Sequence, residues 1–477
     1  MMGVLAVAAS ATMIYFGDGM VARWPLMWFA LVPVLCFALR ASRAGAALAA
    51  VAVMMLGNLN LWSYLTKSLS APWWVWFANF FAASLMFAVC VLVMRALVRR
   101  GAVGSGLVAL PALWVVGEYL RNLMTPHGSA GSLAYSQLGF LPFLQLASLT
   151  GPWGMSFVLL LFSSSLAIAW YLWSAGASES TAKRKAQWVV ATGIGVAAVV
   201  IVMGAIRLGL PEGATARVGL VASDLKQNER VVEPGADTER LFGDYERAAV
   251  SLTAQGAQAV VIPEKLGVTL EGKLAKTDAI LQSLADNSKA TVVAGTVHFV
   301  GPVKYNSARV YEPGATVMRY DKEHMLPPFE SDSKPGTTLV MLPRDKQVWG
   351  VAICKDMDFA DPARRYAREG AGLLLVPAWD FVVDRAWHGH IAVMRGVEGG
   401  FSIARAAKGG YLTVSDWKGR IIGETRSSAA PFATLLVDVP AEHHWTLYQT
   451  LGDWFAWVSV ALAIVVLLRL MTMREAK

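Results

Sequence analysis

Charge is scarce in this chain. Only 16% of its 477 residues are Asp, Glu, Lys or Arg, while 55% are hydrophobic. That balance is too apolar for an ordinary soluble protein of this length and makes an integral membrane protein the default. Cysteine is scarcer still: Cys36 and Cys90 fall in apolar runs, and Cys354 stands alone in a more polar stretch. An oxidising compartment pairs its thiols or loses them, so a lone thiol there is either a packed core residue or a chemical one. The sequence has no Walker loop, no GxSxG elbow, no CxxC pair, no internal repeat and no low-complexity tract. Nucleotide cradles, serine-hydrolase elbows and dithiol redox sites are therefore excluded as readings.

What is present is long apolar sequence. Stretches near the roughly 20 residues that cross a bilayer occur at 2–16, 23–39, 44–65, 72–94, 106–120, 151–174, 187–208 and 453–472. They predict about eight spans, the first of them short. It reads as a retained span rather than a signal peptide, since no basic residue precedes it and further spans follow at once. Basic residues cluster after alternate spans: Arg40 and Arg43; Arg95, Arg99 and Arg100; Lys183, Arg184 and Lys185; Arg469, Arg474 and Lys477. With both termini cytoplasmic, all four clusters lie on the inner side and the 209–452 region faces the periplasm or exterior. The net charge of +8 is largely this topology signal and implies no nucleic-acid partner. The expected organisation is a helical bundle over 1–208, an external domain over 209–452, and a last span with a cytoplasmic tail over 453–477.

From residue 214 the period changes to alternating strands and helices. ARVGLVAS, AQAVVIPE, ATVVAGTVHFV, VWGVAICK and AGLLLVPAW read as strands, and DTERLFGDYERAAVSLTAQG, LAKTDAILQSLADNSKA and ADPARRYAREG as helices. YNSARVYEPGATVMRYDK reads as two strands turned at Pro313-Gly314. A helix is expected around 386–400, followed by the short strands FSIARAA, GGYLTVSD and GRIIGE with a turn at Trp417-Lys418-Gly419. In an α/β layered fold, functional groups at strand carboxyl ends gather in one crevice. Residues 121–150, rich in Gly, Ser, Pro and aromatics, read as a partly re-entrant loop at the membrane surface.

Three such strand ends carry reactive side chains: Glu264 in VVIPEKLG, Lys322 in RYDKEHMLPPFE and Cys354 in GVAICKDMDF. Taken singly, each has a duller explanation as a packed thiol or a surface charge. Together they make a thiol nucleophile, a carboxylate able to take and return its proton, and an ammonium able to hold an oxyanion. Two further residues stand out. Trp379 lines a lipid entrance or joins an interfacial aromatic belt. His388 is two residues from His390, so the pair shares no helix face; it orients its neighbours rather than binding metal. No metal or cofactor is expected.

VVIPEK, YDKEHMLPPFE and ICKDMDF resemble the three catalytic segments of the nitrilase superfamily, and YNSA at Tyr305 to Ala308 is similar to its core. Over its whole length the chain resembles the apolipoprotein N-acyltransferase branch of that superfamily. WVVGEYLRNL with GSLAYSQLGFLPFLQLASLTGPWGMSFV is similar to the membrane segment, HGHIAVMRGVEGGFSIARAAKGGYLTVSDWKGRII to the closing helix and strands, and HWTLYQTLGDWFAWV to the return to the last span. The resemblance implies an external αββα sandwich carried on a membrane bundle, in a bacterial cytoplasmic membrane. It implies Glu264 as general base, Lys322 as oxyanion partner and Cys354 as nucleophile. Glu330 matches a second functional glutamate, and Asp356 stands where the family usually has a glutamate two residues after the cysteine.

The implied reaction takes an acyl chain from a glycerophospholipid, typically phosphatidylethanolamine, and passes it through the thiol to the N-terminal amine of a diacylated lipoprotein. A lipid ester leaves the bilayer at a cost of about 0.8 kcal/mol per CH₂, so a site tethered between spans suits such a donor. The chain departs from the family pattern in PPFES, in the short SDSKPGTTLVMLPRDKQVWGVAI connection, in Lys355 after the cysteine and in VPAWDF. These fall on loops that would meet substrate, so a different amine or amide acceptor remains an alternative, as does a silent binding protein.

Overall fold

The computed structural model describes residues 1–70, 72–175, 180–228 and 230–473. Arg474 and Lys477, counted above in the last basic cluster, and the tail beyond them lie outside the described residues. The chain divides into two compact units: Met1–Met124, Gly131–Gly209 and Leu451–Lys477 form one, and Thr125–Ala130 with Leu210–Thr450 the other.

The first unit is helical throughout its apolar runs. Among the described residues, six helices are long and apolar enough to cross a membrane: Arg43–Leu61, Trp73–Arg99, Val103–Met124, Ala147–Ser174, Ser180–Leu208 and Trp454–Thr472. The expected count of eight is not confirmed. Met2–Gly17 is helical, but at 16 residues it reaches only about 24 Å, short of a hydrocarbon core of roughly 30 Å. The second stretch, Trp24–Arg40, is apolar but also falls short, and it breaks into Trp24–Phe29 and Val32–Arg40. The 121–150 segment is more ordered than a loop. The helix before it runs on to Met124, and Leu133–Gln137 and Leu141–Leu144 form further helical turns. The buried Glu118 carboxylate fixes the first of these, accepting from Leu133 N at 2.8 Å and Ser132 Oγ at 3.0 Å. The next long helix already begins at Ala147 and kinks at Gly151, whose φ of +62° precedes Pro152.

Among the described residues, the second unit is built on thirteen strands: β1 Thr215–Ala222, β2 Ala259–Ile262, β3 Val268–Leu270, β4 Thr291–Val300, β5 Val303–Tyr311, β6 Met318–Asp321, β7 Met341–Pro343, β8 Val348–Val351, β9 Leu373–Trp379, β10 Ser402–Lys408, β11 Tyr411–Ser415, β12 Ile421–Arg426 and β13 Ala433–Pro440. One sheet runs β13-β1-β2-β4-β5-β6 with β3 beside β4, and the other β12-β11-β10-β9-β8-β7. Val218, Leu220, Val261 and Val293 of the first sheet pack with Val351, Leu373, Leu375 and Ala404 of the second. The outer face of the first sheet buries Leu241, Phe242 and Tyr245 of helix Ala236–Ala254 and Leu281 and Leu284 of helix Ala275–Ser288. The outer face of the second buries Ala363 and Tyr366 of helix Ala360–Arg368 and Ala392 of helix Trp387–Gly399. Helix, sheet, sheet, helix is the expected αββα order. The central strands are buried on both faces, which is why they read as continuous apolar runs.

Candidate active site

β2 runs parallel to β4, β5 and β6 reverse in turn, and β8 runs parallel to β9. β2 and β6 therefore point the same way in one sheet, as β8 and β9 do in the other. The chain leaves β2 through Pro263 to Glu264, β6 directly into Lys322, and β8 through Ala352 and Ile353 to Cys354. Glu264 N donates to Ala378 O in β9 at 3.2 Å, which ties the two sheets together at this corner. Gly295 of β4 makes room for the passage: a Cβ there would lie 2.4 Å from Glu264 Cα.

Glu264, Lys322 and Cys354 line one cleft of about 300 Å³. The volume suits a small-molecule pocket, and Leu326, Phe329, Trp379 and Phe381 give it apolar walls. A larger polar cleft of about 600 Å³, at Gln258, Lys289 and Arg344, contains no thiol.

Lys322 Nζ donates to Glu264 Oε1 and to Glu330 Oε2, each at 2.9 Å. An ammonium has three N–H groups, so one remains for a third acceptor. Burial alone would depress this ammonium, but the Glu264 and Glu330 carboxylates outweigh it and hold Lys322 well above its ordinary range. Asn306 Nδ2 bridges the same two glutamates, at 2.5 Å to Glu264 Oε1 and 2.6 Å to Glu330 Oε1. Glu330 also accepts from Leu326 N at 2.8 Å and pairs with Lys265.

The two glutamates thus differ. Glu330 is bound on both oxygens, whereas among the described residues both hydrogen bonds to Glu264 fall on Oε1 and leave Oε2 without one. Burial opposes ionisation of Glu330, but Lys322 and Lys265 prevail and bring it down to about 2. Its folded value lies below the unfolded 4.5, so the stability it contributes is complete above that pH and is lost as pH falls toward the folded value. Thermal unfolding in detergent, followed from neutral pH down to about 3, is expected to show a shallower acid limb in Glu330→Gln than in the parent. Parallel acid limbs would contradict this ion-pair assignment.

Cys354 opens a short 3₁₀ turn, Cys354–Asp358, rather than ending its strand. Its φ is +42°, a left-handed conformation that a non-glycine residue adopts at some cost and that is common at functional turns. Sγ lies 3.7 Å from Trp379 O and 4.0 Å from Arg405 Nη2. Burial, reinforced by the Glu264 carboxylate, pushes the thiol up to about 12. It rests as a neutral thiol and needs a base to become a nucleophile.

The turn is held at both ends. Asp356, fully buried, accepts from Ile353 N at 3.1 Å, Tyr320 Oη at 2.8 Å, Glu323 N at 3.1 Å and His324 N at 2.9 Å. It does not line the cleft, so it braces the turn instead of meeting substrate there. At the other end, Ser129 N and Oγ both donate to Asp358 O at 3.2 Å, and Arg395 Nη2 donates to Ser129 Oγ at 3.3 Å. The Asp358 carboxylate pairs with Lys355 Nζ and His388 Nδ1, each at 3.2 Å. Burial opposes its ionisation, but His388 and Lys355 hold it far below the usual carboxylate range.

Trp379 and His388 both line the cleft. Lys408 Nζ sits 3.7 Å from the Trp379 ring centroid. Asn306, Lys265, Asp358, Asp384 and Arg405 were not singled out by sequence reasoning. Asn306 carried a usable signal: an asparagine inside a buried strand pattern is out of place unless its amide is used.

Comparison with known proteins finds relatives for both units of the chain. Residues 3–165 match the family model of the apolipoprotein N-acyltransferase N-terminal domain, and residues 228–442 that of carbon-nitrogen hydrolase. An apolipoprotein N-acyltransferase of Geobacter metallireducens is 30% identical over 410 residues, covering 78% of this chain and 76% of that one. Another, of Gloeobacter violaceus, is 25% identical and covers 97% of this chain and 93% of its own. Among solved structures, an amidase from Nesterenkonia sp. AN1 aligns at 22% identity and a TM-score of 0.42, over 52% of this chain and 97% of that one. Both halves carry family signatures and the Geobacter relative spans three quarters of either sequence, so the chain belongs to the apolipoprotein N-acyltransferase family.

Proposed function

We propose that the chain is a membrane acyltransferase working by two half-reactions on Cys354. Glu264 takes the Sγ proton through its unbonded oxygen, and sulfur attacks the ester carbonyl of a glycerophospholipid, phosphatidylethanolamine in the simplest case. The third N–H of Lys322 receives the oxyanion. The C–O bond breaks, Glu264 returns the proton to the departing lysophospholipid hydroxyl, and an acyl thioester remains. The N-terminal amine of an S-diacylglyceryl-cysteine lipoprotein then attacks the thioester, giving the amide and restoring the thiol.

The observation that carries this reading is the shared cleft: a neutral thiol, a carboxylate with one unbonded oxygen and a buried ammonium line one apolar pocket. The basic clusters support a cytoplasmic-membrane setting with both termini inside and the 209–452 domain in the periplasm. Lys355 gives the alternative acceptor its support, since a buried lysine paired to Asp358 lies against the cleft where the family usually has an aromatic.

Incubating the purified chain with phospholipid is expected to add one acyl mass to Cys354, and a diacylated lipopeptide to discharge it as a triacylated product. No adduct under turnover-limiting conditions would end the thioester reading. An adduct that the lipopeptide fails to discharge would end the lipoprotein assignment alone.

A further inference from the structure

The charges around the cleft are paired, Asp384 the least completely. Glu264 and Glu330 share Lys322, Asp358 has Lys355 and His388, and Asp380 is held by Arg405 at 2.5 and 2.7 Å. Asp384 also lines the cleft and is 1% exposed, yet neither of its carboxylate oxygens has a hydrogen bond among the described residues. Its polar neighbour is His388 Nε2, 3.3 Å from Oδ2, and His388 is already engaged through Nδ1 with Asp358. Asp384 precedes helix Trp387–Gly399 without capping it by its side chain. A buried carboxylate with no donor is costly.

The cleft wall carries five carboxylates against three lysines, with Arg405 behind Asp380. This leaves it one positive charge short unless His388 is protonated. The missing charge is one that a ligand can bring.

We propose that Asp384 is the receiving group for a primary ammonium entering the cleft, an inference that rests on the acyltransfer reading for the identity of its ligand. Two sources supply that chemistry, the N-terminal amine of the acceptor and the ethanolamine headgroup of the donor. In either case the ammonium gives Asp384 the N–H donors it lacks, and His388, drawn between Asp358 and Asp384, sets the carboxylate's orientation.

Equilibrium binding to the full chain carrying Cys354→Ala, which cannot turn over, tests this. The probes are a diacylated lipopeptide with a free N-terminus, its N-acetylated form, and short-chain phosphatidylethanolamine and phosphatidylglycerol. Adding Asp384→Asn is expected to weaken the amine-bearing member of one pair by about tenfold or more, the scale of a charge-assisted hydrogen bond, and to spare its uncharged counterpart. The lipopeptide pair reports the acceptor and the phospholipid pair the headgroup, while Asp384→Glu should retain most of the affinity. Equal weakening of all four probes, or of none, overturns the proposal. Because no turnover is needed, failure of the acyl adduct in the parent chain would leave this measurement readable.

Discussion

Cys354→Ala is expected to abolish acyl transfer, by at least about 10⁴-fold as for other covalent nucleophiles, while leaving the protein folded. The thiol is neutral at rest and bears no ion pair, so its loss strands no buried charge. Its polar contacts, Trp379 O at 3.7 Å and Arg405 Nη2 at 4.0 Å, are long, and Arg405 keeps its two bonds to Asp380. The variant should melt within about 1 kcal/mol of the parent and show neither acyl adduct nor triacylated lipopeptide. Transfer surviving in Cys354→Ala would mean that the acyl group travels by another route, and the assignment of all three residues would fall with it.

Lys322→Met is expected to cost both rate and fold. The substitution keeps the length of the side chain and removes the ammonium between Glu264 and Glu330. Asn306 and Lys265 remain, but Glu264 loses its cation and the two carboxylates confront each other. Breaking a buried pair from one side typically costs 3–5 kcal/mol, with about that loss expected here in unfolding experiments. Removal of the oxyanion donor should slow adduct formation by about 10²- to 10³-fold. The two effects separate in Glu264→Gln/Lys322→Met, where removing one of the opposed charges should recover part of the stability and none of the rate. Equal rates for Lys322→Met and parent would remove Lys322 from the chemistry.

The sandwich was legible because its central strands are uninterrupted apolar runs whose ends carry unlike side chains. Glu264 and Cys354 each follow such a run, Lys322 follows the edge strand Met318–Asp321, and β2 and β6 point the same way. The 3₁₀ turn after Ile353 was not legible, since it is fixed by Asp356 reaching back to Ile353 N and across to Glu323 and His324. Nor could spacing assign unequal roles to the glutamates, because the difference lies in which oxygens Asn306, Lys265 and Lys322 occupy. Two of the eight expected spans are not confirmed, because hydropathy registers apolar length and not continuity. The break between Phe29 and Val32 divides one apolar run into two short helices.

Ser129 has a consequence for how this protein can be taken apart. The six residues Thr125–Ala130 belong to the α/β unit, although residues 131–209 separate them from Leu210 in the sequence. Through Ser129 they supply two donors to the carbonyl of Asp358, at the end of the turn that Cys354 opens. Excising 210–450 as a free-standing fragment would keep every strand and each of Glu264, Lys322 and Cys354, yet leave that carbonyl and Arg395 without Ser129. The α/β unit is discontinuous in the sequence, so subcloning by sequence boundaries is expected to loosen the turn that Cys354 opens, and a swap of sandwiches between relatives would have to carry this hexapeptide along.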